Sequence, residues 1–157
     1  MIALARLHAL VPCACAACAL APPPPVPLPV GDEEVLASLA QPALDRRCAD
    51  ASCHANPDRP FAVYSPGRRR ADPARLHLLE PLTPDELAAN ARAIAALALE
   101  PLAAGEPVDT CLVLCKPLAV SAGGCGHVVG EVFAGTDERD YQALRTYLDT
   151  LALPEDP

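Results

Sequence analysis

Large side chains are scarce in this chain of 157 residues. Tryptophan is absent, and the aromatic residues are only Phe61, Tyr64, Phe133, Tyr141 and Tyr147. Much of the hydrophobic fraction is alanine instead, so the chain has little with which to fill a large core. The length corresponds to one domain. Such a domain closes either by close packing of alanine-rich helices or around a bound apolar group that supplies the missing bulk.

Basic residues are also scarce. Twelve Lys and Arg oppose 20 Asp and Glu, which gives a net charge of −8. Nucleic-acid binding needs a basic surface that displaces counterions, so we expect no nucleic-acid partner. The run Arg68-Arg69-Arg70 follows Ser65-Pro66-Gly67 and is most simply a solvated loop. The chain also lacks a Ser-His-Asp signature, a phosphate-binding glycine loop and an HExxH motif, so no familiar catalytic set is present.

The N-terminal segment resembles a secretory signal. Arg6 precedes an apolar run at residues 9–21, which is too short to span a bilayer. Cys15-Ala16-Ala17-Cys18 resembles a lipoprotein box, in which the second cysteine is lipidated after cleavage. We therefore expect a lipid anchor at Cys18; plain cleavage near Ala21 and a retained segment are the alternatives. Either cleavage predicts an exported protein, in the periplasm or membrane-anchored.

Proline dominates the next segment and fills six of the eight positions at residues 22–29. Because proline lacks a backbone N–H, this segment cannot be helix or paired strand, and it predicts an extended spacer. We therefore divide the chain into a signal peptide at 1–21, a proline-rich linker at 22–31 and a folded domain at 32–153.

Two helix signals lie in the first two thirds of the folded domain. Acidic residues 32–34 favour a helix start, and Pro42 is expected to break or kink that helix. Thr83-Pro84-Asp85-Glu86 is a strong second start, with Thr as N-cap, Pro at the first helical position and Glu in a capping box. Glu100-Pro101 is expected to end the second helix.

A third helix is expected near the C-terminus, after an irregular stretch at residues 105–130. Thr136 or Asp137 can cap it. Its apolar stripe consists of Tyr141, Leu144, Leu148 and Leu151. The fold class that these signals predict is mostly α: a small helical domain with long irregular loops.

The segment Cys48-Ala49-Asp50-Ala51-Ser52-Cys53-His54 carries the strongest chemical signal. Covalent haem attachment needs two thiols that add to the porphyrin vinyl groups and an imidazole that binds the iron. The familiar spacing is C-x-x-C-H, whereas two further residues separate the thiols here. These must bulge away from the ring, which small Ala and Ser side chains allow. The alternative is a local disulfide or thiol pair beside a surface histidine.

This chain resembles the cytochrome c-like domains of exported bacterial proteins, many of them lipoproteins. Three pieces carry the resemblance: residues 44–54, residues 116–133 with the string Ala122-Gly123-Gly124-Cys125-Gly126-His127, and residues 140–147. It implies one covalent haem c, with Cys48 and Cys53 as thioether anchors and His54 as proximal iron ligand. It also implies that the first and last helices cross and wall one edge of the haem. Tyr147, where such domains often have Trp, and the three later cysteines depart from the family pattern.

The sixth iron ligand cannot be methionine, because Met1 is the only one and lies in the signal segment. His127 and His77 are the histidines that remain outside the signal and the motif. His127 lies in a glycine-rich loop, whose backbone can approach a flat macrocycle closely. We therefore favour His127 as distal ligand, with an open position or His77 as the alternatives.

The remaining cysteines, Cys111, Cys115 and Cys125, allow several disulfides, among which the sequence does not choose. The expected function is an electron carrier rather than a catalyst, with a redox partner protein. Two alternatives stay open. One is a zinc or thiolate site built from the Cys and His residues, and the other is a cofactor-free lipoprotein that acts as a scaffold or binding module.

Overall fold

The structure is a computed structural model that describes residues 26–154. The signal peptide, with Cys18, and the first four linker residues lie outside this range. Within it, the regular elements are helices, and only isolated bridges pair extended segments. The expected mostly α class is therefore confirmed. None of the helices in this range is long and apolar enough to cross a membrane.

The first helix, α1, covers residues 33–47. It begins after Asp32, whose carboxylate accepts hydrogen bonds from the backbone N–H groups of Glu34 and Val35. The expected break at Pro42 is wrong. A π-helical turn at Leu36–Ala40 precedes the α-helical part at Gln41–Arg47, so the chain stays helical through the proline. A proline ring inside an α-helix clashes with the carbonyl group four residues earlier, and the wider π-helical turn relieves this clash for Pro42.

The second helix, α2, spans Pro84–Ala103 and has the expected capping box between Thr83 and Glu86. It continues three residues past the expected end at Glu100. Pro101 is tolerated in the last turns, and the helix stops at Gly105, whose φ is +69°. Glu106 N–H donates to the Pro101 carbonyl and Gly105 N–H to the Leu102 carbonyl, which is a Schellman motif. Glycine therefore ends this helix, and proline does not.

Short elements fill the stretch between the long helices. The third α-helix, α3, is a single turn at Leu112–Cys115, and 3₁₀ turns lie at Pro73–Arg75, Val108–Thr110 and Val120–Ala122. The irregular stretch closes on itself, because Leu118 and Phe133 form a parallel bridge. We call residues 117–133 the distal loop.

The last helix, α4, spans Arg139–Leu148. Neither Thr136 nor Asp137 caps it, contrary to expectation, since Glu138 occupies the N-cap position. The Glu138 side chain makes no capping bond and instead accepts hydrogen bonds from the Ala134 N–H and from Arg47. The contacts to Ala134 and Arg47 therefore set the start of α4.

The core lies where α4 packs against α1. The expected apolar stripe of α4 is buried, and Leu151 follows just after the helix ends. Phe133 packs edge-on against Tyr141, with ring centres 5.7 Å apart. The largest fully buried apolar side chains are Leu36, Leu44, Val63, Ile94, Leu114, Phe133, Tyr141, Leu144, Tyr147 and Leu148. Most of the few aromatic residues are thus concentrated at one interface.

A charged contact joins the end of α1 to the start of α4. Arg46 and Arg47 both donate hydrogen bonds to the Asp140 carboxylate, and Arg47 also reaches Glu138. The N-terminal side of the domain is fixed near the other end of α4, where Val30 and Ala152 exchange backbone hydrogen bonds. Both ends of α4 are therefore tied to the beginning of the domain.

The arginine run at residues 68–70 is not wholly solvated, contrary to expectation. Arg70 is buried and forms a double hydrogen bond with the Glu86 carboxylate. It also donates to the carbonyls of Glu80 and Pro81, so its donors are satisfied. Burial alone would raise the pKa of Glu86, but hydrogen bonds from Arg70, Thr83 and Ala71 outweigh it and lower the pKa to about 2. This ion pair fixes the 65–83 segment to α2.

The Glu86→Gln variant is expected to lose about 3–5 kcal/mol of unfolding free energy at pH 7, because Arg70 keeps its charge in a buried position without a counter-charge. In the wild type, the contribution of Glu86 is fully present above pH 4.5 and is lost as the pH falls toward about 2. Urea unfolding at several pH values measures both effects. Glu80→Gln is the control, since that carboxylate pairs with Arg75 at the surface. Equal losses in the two variants would contradict the role of burial.

Candidate functional site

A cavity of about 500 Å³ lies between the end of α1, helices α2 and α3, and the distal loop. This volume is typical of small-molecule and cofactor sites. The four residues expected from the sequence, Cys48, Cys53, His54 and His127, all line it. More than 70 residues separate His127 from the three residues of the motif, so the fold brings the motif and the distal loop together.

The C-x4-C-H segment forms a compact loop that starts where α1 ends. His54 N–H donates to the Cys48 carbonyl at 3.1 Å and closes the loop. The Asp50 carboxylate accepts hydrogen bonds from both the backbone N–H and the hydroxyl of Ser52, which is an Asx turn. Residues 50–52 are exposed. The additional spacer residues therefore form an exposed tip, and Ser52 at its end also lines the cavity.

The two thiols differ in environment. Cys48 is buried, and burial, with a smaller effect of the neighbouring Cys53, raises the pKa of its thiol to about 12. Cys53 is half-buried, and its sulfur lies 3.7 Å from the Ser52 hydroxyl. Neither is bonded to another cysteine within residues 26–154. The structure therefore has no disulfide between Cys48 and Cys53, which was one of the alternatives for this segment.

The His54 ring is held by two contacts. Its Nδ1 lies 2.8 Å from the Phe61 carbonyl, which can only accept, so Nδ1 carries the proton. The ring also packs against the Phe61 ring, with centres 4.9 Å apart. Nε2 has no hydrogen-bond partner among the described residues. Histidines that bind metals are commonly held in this way, with the second ring nitrogen donating to a carbonyl.

His127 is held in the same way as His54. Its Nδ1 lies 3.0 Å from the Gly130 carbonyl, within a turn in which Gly130 N–H donates back to the His127 carbonyl. Gly126 and Gly130 have φ values of +89° and +100°, which side chains rarely adopt. The glycines on either side therefore permit the backbone path that brings this imidazole to the cavity.

The ring centres of His54 and His127 are 6.1 Å apart. An imidazole nitrogen bonds a metal at about 2 Å, and the ring centre lies about 1 Å behind it, so two imidazoles that bind one metal from opposite sides have centres about 6 Å apart. The observed separation matches this value. His77 is exposed and does not line the cavity, so the structure brings His127, rather than His77, toward His54.

The distal loop is closed at its base and fastened along its length. The Pro117 carbonyl accepts hydrogen bonds from Val132 and Phe133, and Ala119 N–H donates to the Phe133 carbonyl. A disulfide joins Cys115 to Cys125, with Cα atoms 5.3 Å apart. The pairing that the sequence left open is thus Cys115–Cys125, and Cys111 remains a buried thiol.

The cavity wall is mainly apolar, and its charged residues have one sign. Arg47, Arg59 and Lys116 line it, whereas no acidic side chain of residues 26–154 does, although acidic residues predominate in the chain. The apolar lining consists of Pro60, Phe61, Leu97, Leu112, Val113, Pro117, Val128, Val129 and Val132. This combination suits a ligand that is largely apolar and carries acidic groups.

Sequence reasoning missed part of this site. Phe61 orients His54, and Arg59 and Lys116 line the cavity. The only signal for these residues was their position in the sequence, close to the motif or to the distal loop. The expectation that the last helix walls the site is wrong, since none of the lining residues belongs to α4. Helix α4 instead packs against α1, whose end lines the cavity.

No three His, Cys, Asp or Glu side chains in the described part of the chain converge as a metal-ion site. The zinc alternative therefore gains no geometric support there. Comparison with known proteins gives no match: no family model, no curated protein and no solved structure is similar to this chain.

The Gly124→Ala variant is expected to displace the distal loop. A Cβ at this position would overlap the Leu118 carbonyl group, which cannot move aside as the end of a side chain can. We expect a loss of about 1–3 kcal/mol of unfolding free energy, typical of overpacking, and faster hydrogen exchange at residues 119–127. Gly135→Ala is the control, since its Cβ would meet only the end of the Asp137 side chain. Unchanged exchange in Gly124→Ala would contradict this account.

Proposed function

We propose that this chain is an exported, single-haem c-type cytochrome domain that carries one electron at a time. The observation that carries the proposal is the pair of histidines, His54 and His127. Their ring centres are 6.1 Å apart, each Nδ1 is bonded to a backbone carbonyl, and both line the same cavity as two thiols. Two imidazoles anchored in this way suit the two axial positions of one iron.

The remaining features of the cavity fit a haem group. Cys48 and Cys53 would attach it through thioether bonds, and His54 and His127 would bind the iron. The apolar wall suits the porphyrin face, and Arg59 and Lys116 offer positive charge to its carboxylates. The bound iron supplies the one-electron couple, while the chain supplies attachment, orientation and exclusion of water.

Histidine in place of methionine at the distal position lowers the reduction potential, because Met/His ligation raises it. The proposed carrier therefore works at a lower potential than a Met-ligated cytochrome c. The cytochrome c-like fold is part of the proposal and is supported by the packing of the first helix on the last. Export, a lipid anchor at Cys18 and a redox partner protein complete it on the basis of the sequence.

Haem is expected to remain on the chain through denaturation and acid–acetone extraction when the protein is produced with haem-attachment machinery. The Cys48→Ala, Cys53→Ala double variant should lose this covalent adduct, because both thioether donors are removed. Cys111→Ala is the control, since this buried thiol does not line the cavity. Mass spectrometry and the absorption spectrum report both results. Colourless wild-type protein with stoichiometric zinc would favour the metal-site alternative.

The ferric wild type is expected to be low-spin, with His127 as the sixth ligand. His127→Ala should become high-spin, and its ferrous form should bind carbon monoxide rapidly, because the sixth position opens. His77→Ala is the matched control and should change neither property, since His77 is exposed away from the cavity. Visible spectra and flash photolysis measure these outcomes. A wild type that is already high-spin would overturn the assignment of His127.

A further inference from the structure

The turn that carries His127 has few attachments of its own. In the described chain, every hydrogen bond of residues 126–130 lies within the His127–Gly130 turn itself. Val128 and Val129 are strongly exposed and do not fasten the turn to the core. The position of His127 therefore depends on what holds the chain immediately before and after this turn.

The chain after the turn has no covalent cross-link and is held by hydrogen bonds and by packing of Val132 and Phe133 against the core. The Glu131 carboxylate accepts from Val120 N–H, and Val132 N–H donates to the Pro117 carbonyl. The chain before the turn is held at Cys125, two residues from His127. Cys125 is joined to Cys115 by the disulfide and donates its N–H to the Cys115 carbonyl at 2.9 Å. Among residues 26–154, the disulfide is therefore the only covalent cross-link near this histidine.

The disulfide is also open to solvent at one end. Cys125 is exposed and Cys115 is half-buried, so an external thiol can approach the sulfur of Cys125. Cys111 lies one turn before Cys115 but is fully buried. Burial, followed by the charge of Asp109, raises the pKa of the Cys111 thiol, which keeps it protonated and unreactive. Cys111 is therefore not the thiol that attacks this disulfide, whereas a thiol from outside the protein can reach it at Cys125.

We infer that the Cys115–Cys125 disulfide positions His127 for the iron, and that its reduction by a dithiol releases His127 and opens the sixth position to a small neutral ligand such as carbon monoxide. The dithiol supplies two electrons and two protons. The S–S bond breaks, Cys115 and Cys125 become thiols, and the dithiol closes to its own disulfide. This inference rests on the proposed function and adds a redox-dependent change of ligation to it.

The test compares the haem-loaded full chain with its Cys115→Ser, Cys125→Ser double variant. The ferric variant should gain a high-spin fraction, and its ferrous form should bind carbon monoxide at least about tenfold faster than the wild type, because the rate depends on how often His127 leaves the iron. Cys111→Ser is the control and should behave as the wild type. An unchanged spin state and carbon monoxide rate in the double variant would overturn the inference.

Two further measurements separate this inference from folding defects and from the proposed function. Ferric wild-type protein whose disulfide is reduced with a phosphine should gain a high-spin fraction, and re-formation of the disulfide should remove it. The far-UV circular dichroism spectrum should stay unchanged throughout. Hydrogen exchange at residues 122–130 should accelerate on reduction whether or not haem is bound. Colourless protein would overturn the proposed function, and with it the inference that reduction frees a coordination position on the iron. Unaltered exchange on reduction would overturn the positioning role of the disulfide alone.

Discussion

Together with Arg47, the carboxylate of Asp140 joins three parts of the chain: α1, α4 and the distal loop. It accepts hydrogen bonds from Arg46 and Arg47 at the end of α1, and it belongs to the first turn of α4. Hydrogen bonds from Arg46 in particular lower the pKa of Asp140, so that it stays ionised at neutral pH. The Arg47 guanidinium also lies 5.8 Å from the centre of the Phe133 ring, at the base of the distal loop. These contacts set where α1 ends and where Cys48 enters the cavity.

Local signals in the sequence predicted where helices begin better than where they end. The capping residues Asp32 and Thr83 act within one turn, and both begin helices as expected. The expected interruptions at Pro42 and Pro101 were wrong, because a π-helical turn accommodates the first and Gly105 ends the second helix. Helix α4 starts after Glu138, whose side chain accepts hydrogen bonds from nearby Ala134 and from Arg47, 91 residues earlier. Such long-range choices leave no local signal in the sequence.

Four of the residues that line the cavity could be predicted from the sequence, whereas the contacts that hold them could not. The four lining residues expected from the sequence follow from the order of thiols and imidazole and from a glycine-rich loop. The role of the Phe61 carbonyl depends on a loop that returns to His54 seven residues later. The pairing of Cys125 with Cys115 depends on a loop path that also brings the Cys125 N–H to the Cys115 carbonyl, ten residues earlier. The burial of Arg70 could not be predicted for the same reason, since its partner Glu86 lies on another element.

The exposed part of the spacer between Cys48 and Cys53 is stabilised mainly from within, while Ala49 packs in the core. Asp50 accepts hydrogen bonds from Ser52 through its side chain and from Cys53 and Ala55 through its carbonyl. The bond from His54 N–H to the Cys48 carbonyl spans six residues; with two fewer residues it would be an ordinary helical bond of the i to i−4 type. The segment therefore behaves as a helical turn into which a short, self-supporting loop has been inserted. Its length can vary at the exposed tip while the residues at its two ends keep their backbone connection.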